Sequence, residues 1–70
     1  MTKIVLKEEF IKLGQALKAA HLVNNGVEAK IVIQNGEVLV NGHTELQRGK
    51  KLYDNDEVVF NGQTIIIVKQ

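Results

Sequence analysis

Six cations, Lys12, Lys18, Lys30, Arg48, Lys50 and Lys51, come from three separated stretches of a seventy-residue chain. Lysines and arginines that converge from separate elements suit phosphate contact, because each can displace a condensed counterion from a nucleic-acid backbone. Set against Glu28, Glu37 and Glu45, they give residues 10–51 a balance of +3. Residues 52–70 balance at −2, with Asp54, Asp56 and Glu57 against Lys69, so the net charge of +1 conceals a segregation. The expectation is one face that meets an anion and another that does not. Scattered solvated lysines would give the same composition, and charge alone does not separate the two readings.

Other chemistry is thinly provided for. The chain has neither Ser nor Cys, and its Thr residues lack a nearby His-carboxylate pattern, so the usual activated nucleophiles are missing. His21 and His43 stand apart without metal-ligand spacing and read as surface or cap residues. Asp54-x-Asp56-Glu57 is acidic, but it lacks the twelve-residue pattern of a calcium loop and reads as a solvated turn. No enzymatic activity, cofactor or small-molecule substrate is expected.

Length allows one domain, spanning residues 1–70, with a small core. That core must be aliphatic, since the aromatics amount to one Tyr and two Phe. No apolar run is long enough to span a membrane, the N-terminus lacks the long apolar stretch of a secretory signal, and Cys is absent. The expectation is a cytoplasmic protein that meets no membrane.

The elements that must position the cations follow from periodicity. Thr2 to Leu6 is β-branched and reads as a strand. From Lys7 to Ala20 the period changes: Phe10, Leu13, Leu17 and Ala20 share one helix face, with Glu8, Lys12, Gln15 and Lys18 on the other. Glu8 and Lys12 would then form an i,i+4 pair. Gly14 is unfavourable in mid-helix and suggests that another backbone packs closely there. Ile11 points to the polar side of this helix.

The stretch from Asn24 to Gly42 has two readings. Asn35-Gly36 lies between Ile31-Val32-Ile33 and Val38-Leu39-Val40, a hairpin signal. Asn25 followed by Glu28 has instead the spacing of a helix cap, giving a helix from Gly26 that stops at Gly36. Periodicity over Val27–Asn35 is apolar on two sides and leans slightly to strand. Val38 to Asn41 is a strand either way. His43 to Lys51 is a polar connection, Leu52-Tyr53 returns to the core, and Asp54-Asn55-Asp56 is a turn. Glu57–Phe60 and Thr64–Val68 form a hairpin through Asn61-Gly62. Because Phe10, Tyr53 and Phe60 all occupy core-like positions, a single-strand stacking platform is not expected. Recognition of a folded or helical RNA by shape and backbone is favoured instead.

The order Ile11-Lys12-Leu13-Gly14-Gln15-Ala16-Leu17-Lys18, then Gly26-Val27-Glu28-Ala29-Lys30, then Gly36-Glu37-Val38-Leu39-Val40-Asn41-Gly42 resembles the αL RNA-binding domain. This is the S-four-type domain, named for the fourth protein of the small ribosomal subunit. Arg48-Gly49-Lys50-Lys51-Leu52 and Asn55-Asp56-Glu57-Val58-Val59 resemble its closing segment. The likeness covers Ile4 to Val68 and is greatest to short stand-alone YaaA-like bacterial members. It implies an α+β fold with two short helices packed on a small antiparallel β-sheet, and the helical reading of Val27–Asn35. It implies a structured RNA as partner, ribosomal RNA among the candidates, and a place in ribosome assembly or translation. Carried over by position, Lys12 and Lys30 are the basic residues of the two helices, and Asn25-Gly26 form the turn before the second. With Gln15, Lys18, Asn41, Arg48, Lys50 and Lys51 they make up the expected RNA-binding set. Three positions depart from the pattern: Asn25-Gly26 replaces a common Ser-Arg pair, Gly14 a common Asp, and Asn55 a usual Gly. The rival reading is a β-grasp protein-interaction or sulfur-carrier-like module. It needs residues 27–35 as a strand paired with 37–41, and a carrier also needs a terminal Gly-Gly where this chain has Lys69-Gln70.

Overall fold

The computed structural model describes residues 1–70. Strand β1 (Thr2–Leu6) leads through a bent segment into the two-residue strand β2 (Ile11–Lys12) and helix α1 (Leu13–Ala19). Helix α2 (Gly26–Gln34) follows, then β3 (Val38–Val40), β4 (His43–Thr44), β5 (Lys51–Leu52), β6 (Glu57–Phe60) and β7 (Gln63–Lys69). Five strands form one sheet in the order β1-β7-β6-β3-β4, while β2 and β5 pair separately. Every neighbouring pair is antiparallel except β1 and β7, which run parallel with Thr2 opposite Ile65 and Leu6 opposite Lys69.

The two helices cover one face of the sheet. Leu13, Ala16 and Leu17 of α1 and Ala29 and Ile33 of α2 are buried against Val38, Val40, Val58, Ile65 and Ile67. Leu6, Val23 and Leu52 complete a core with no buried polar residue, as an aliphatic composition requires.

Chemistry at both ends decides α2. The Asn25 side chain accepts the Glu28 N–H at 2.8 Å, a cap worth about 1 kcal/mol over alanine. The Glu28 carboxylate reaches back one residue further than the usual reciprocal pair and accepts from the Asn24 N–H at 3.0 Å. At the far end the Gly36 N–H donates to Ile33 O and the Glu37 N–H to Val32 O, with Gly36 at φ +78°. This is the double-bonded stop that favours glycine. Asn35-Gly36 therefore ends a helix and makes no hairpin, and the β-grasp arrangement loses the strand on which it depended. Val27 and Ile31, the residues that blurred the periodicity, are 70% and 52% exposed.

Helix α1 is shorter than its periodicity suggests. It begins at Leu13, not Lys7, because Ile11 and Lys12 pair with Leu52 and Lys51 as strands. That pairing takes up Ile11, the residue that fits the helical pattern worst, and it leaves Glu8 outside any helix, so the Glu8–Lys12 pair does not form. The helix ends like α2: the His21 N–H donates to Lys18 O, and Leu22 N–H to Leu17 O. Here a non-glycine residue, His21 at φ 59°, adopts the left-handed conformation. The hairpins at Asn41-Gly42 (φ 50° and 83°) and Asn61-Gly62 (φ 52° and 75°) have the double positive φ of a type I′ turn. The first of these converts the start of the polar connection into strand β4. Asn55 sits at φ 73°, a conformation that Asn tolerates better than most side chains.

Candidate nucleic-acid interface

The cationic site is built on the start of α1. Its first two free N–H groups have no side-chain cap; instead Leu13 N–H donates to Lys50 O at 2.8 Å and Gly14 N–H to Arg48 O at 3.0 Å. Carbonyls of the 48–50 segment thus satisfy the orphan donors of the helix and hold that basic segment against it. Gly14 permits the approach: a Cβ there would lie 2.7 Å from Arg48 Cγ. The close packing expected at Gly14 is present, and its partner is the arginine of the basic cluster.

Three elements then surround one open depression of about 280 Å³, lined by Lys12, Gly14, Gln15, Lys18, Gly26, Ala29, Arg48 and Gly49. Lys12 lies just before α1, and Gln15 and Lys18 follow on its exposed face. Gly26 opens α2, where the first N–H groups of the helix have no intrahelical acceptor. Ala29 and Gly14 are both buried, so the floor is small and apolar, and the rim is long and charged. None of Lys12, Lys18, Lys30 and Arg48 has an ion-pair partner; the one ion pair of the chain is Lys69–Glu9, at 3.2 Å and far exposed. Unpaired cations around a shallow floor can take a polyanion and hold it by several separate phosphates.

The other expected residues are distributed around this centre. Asn25 caps α2 beside Gly26. Lys30 is exposed one turn further along the same helix and does not line the depression. Lys50 contributes its carbonyl to α1. Lys51 does not line the depression; its ammonium lies 4.8 Å from the centre of the Phe10 ring. Asn41 is not brought to the depression. Its Nδ2 donates to Asp56 Oδ1 at 3.0 Å and its Oδ1 accepts from the Glu57 N–H at 2.9 Å. Gly14, Ala29 and Gly49 belong to the lining without having been expected there. Only the anomaly of a mid-helix glycine pointed to the first.

The aromatic residues require a correction. Tyr53 does not enter the core; it is 44% exposed. Phe10 is half-buried, and the two rings lie 6.1 Å apart and tilted by 52°. Leu52 alone of the Leu52-Tyr53 pair is buried: it is the inward-facing residue of β5, whose other residue, Lys51, is exposed, and Tyr53 follows just after the strand.

Comparison with known proteins is consistent with this arrangement. A family model described as the S4 domain matches residues 4–68. A curated relative, the probable ribosome maturation protein RlbA of Bacillus subtilis (strain 168), is 42% identical over 59 residues, covering 84% of this chain and 83% of its own. Among solved structures, the solution structure of YbcJ from E. coli, described as revealing an αL motif involved in RNA binding, superposes with a TM-score of 0.74. It is 30% identical, and the match covers 97% of this chain and 87% of YbcJ. The helix–stop–strand order of residues 26–40 and the near-complete family match agree: this chain belongs to the S4 domain family.

Proposed function

We propose that the protein binds structured RNA, without catalysing a reaction, and that ribosomal RNA in a maturing ribosome is its target. The observation that carries this reading is the convergence of Lys12, Lys18 and Arg48, all exposed and all without ion-pair partners, on one depression. The names of the two relatives support RNA and the ribosome as its setting, and ribosome maturation would place it in the cytoplasm. Lys12, Gln15, Lys18 and Arg48 with the Gly26 end of α2 form the central contact; Asn25, Lys30 and Lys50 flank it. A helical RNA stem meets such a surface through phosphates and 2′-hydroxyls across its shallow minor groove.

Titration of a ribosomal RNA hairpin at several salt concentrations tests the assignment. The double variant Lys12→Glu/Lys18→Glu should bind more weakly. Its plot of log affinity against log salt should be shallower by roughly two, one for each phosphate no longer neutralised. An unchanged affinity and slope would remove this face from the interface.

A further inference from the structure

A second feature adjoins the depression and is not accounted for by stem recognition. Strands β2 and β5 set Lys12 directly opposite Lys51. Like charges facing across an antiparallel pair are unfavourable, and neither lysine has a carboxylate partner. Flanking this ribbon is a pair of neighbouring aromatic rings, Phe10 and Tyr53, with centroids 6.1 Å apart. Beside Phe10 runs a groove of about 370 Å³ lined by the apolar Val5, Leu6, Phe10 and Ile11 and by the polar Lys7, Glu8, Lys12 and Gln15. Lys12 and Gln15 line both this groove and the central depression, so the two are neighbours on the surface.

We infer that this corner accepts an unpaired nucleotide of the bound RNA, so that the preferred ligand is a stem carrying a bulge or a junction with a single strand. The inference rests on the RNA-binding reading above and adds a feature of the ligand to it. An extruded base needs an apolar surface for its face and polar groups for its edge, and a groove whose lining mixes the two kinds offers both. Stacking on an aromatic ring serves any base. Lys51 lies over the Phe10 ring as a cation over a π-face; a base that takes this face frees the ammonium for the phosphate next to it. Lys12 and Lys51 then share an anion that removes their mutual repulsion. Glu8 in the groove lining is a carboxylate acceptor suited to an exocyclic amine of the base, and its charge directs the phosphate toward the lysine pair. A protein partner is disfavoured at this corner because the groove adjoins a depression whose charged groups are all cationic.

The test uses two RNA hairpins with the same stem, one fully paired and one with a single bulged 2-aminopurine. The protein should bind the bulged hairpin about tenfold more tightly, the effect of stacking one base, and should quench the 2-aminopurine fluorescence. Tyr53→Leu and Phe10→Leu should each reduce the ratio of the two affinities toward one and weaken the quenching. Tyr53 is solvent-exposed, so its variant tests the corner even where the half-buried Phe10 position proves sensitive to substitution. Equal binding of both hairpins without quenching overturns the inference and leaves the stem-binding face standing. Binding of neither hairpin overturns both. Quenching that survives in both variants overturns the aromatic assignment.

Discussion

The acidic corner at residues 54–57 and the cationic depression around Gly14 each carry three charged side chains and treat them in opposite ways. In the acidic corner both aspartates of the turn are engaged inside the fold. Asp56 accepts from the Tyr53 N–H at 2.7 Å and from Asn41 Nδ2 at 3.0 Å, while Asp54 accepts from the Lys69 N–H at 2.8 Å. In the depression the side chains of Lys12, Lys18 and Arg48 hydrogen-bond to nothing in the chain, and these residues are engaged through their backbones, as where the Arg48 carbonyl accepts from the Gly14 N–H. Polar residues that complete a turn are answered locally. The cations of the depression are left unanswered and are gathered by backbone contacts. The difference explains why Asn41, which belongs to the expected RNA-binding set on grounds of position, behaves in the structure as part of the turn.

Three substitutions bring out this contrast. The largest effect is expected for Asp56→Ala, which deletes two charge-assisted hydrogen bonds and leaves the Tyr53 N–H and the Asn41 amide without their acceptor. Stability should fall by about 2 kcal/mol, a drop in Tm on the order of 10 °C for a domain of this size. RNA affinity measured well below the transition should stay close to that of the parent; a large loss of affinity without a change in Tm would erase the distinction between the two corners. Next comes Gly14→Ala. A helix gains up to about 1 kcal/mol from this exchange, but the new methyl group would meet Arg48 Cγ at 2.7 Å and must turn that side chain away. The expected outcome is a Tm somewhat below that of the parent together with an RNA affinity several-fold lower, read by thermal melting and titration on the same sample. If affinity is retained, the aim of Arg48 is unimportant to the depression. The smallest effect belongs to a site outside both corners. His21→Gly relieves a left-handed residue at the end of α1 and should raise stability by about 0.5–1 kcal/mol, seen as a denaturation midpoint at higher urea with an unchanged slope.

Much of this was legible in the residues themselves, and the parts that were not have a common cause. Helix α2 could be read because its signals are local: Asn25 with Glu28 at one end, Gly36 at the other. Periodicity alone leaned the wrong way, since Val27 and Ile31 are apolar yet exposed, and capping chemistry outweighed it. The start of α1 could not be read in this way. What ends the helical pattern at Leu13 is the pairing of Ile11 with Leu52, which joins distant parts of the chain, and the misfit of Ile11 was its one local sign. Tyr53 was misplaced for the same reason, because the direction of its side chain depends on a two-residue strand that exists only through that pairing. The Asn-Gly dipeptides make the point compactly. Asn25-Gly26 begins a helix, Asn35-Gly36 ends it, and Asn41-Gly42 and Asn61-Gly62 turn hairpins. The dipeptide supplies a sharp change of direction, and the flanking segments decide its kind.

The parallel pairing of β1 with β7 bears on how the molecule reaches its native state. The first strand of the chain can be zipped only by the last, and segments so remote in sequence come together slowly. On a translating ribosome β1 must wait, while both helices and the β3–β6 pairing can form ahead of it. The exposed edge of β1 is short and carries Lys3, a charge that discourages pairing with another chain during that interval. Synthesis thus imposes an order on assembly: the helical, cationic half is complete before the sheet acquires its final edge.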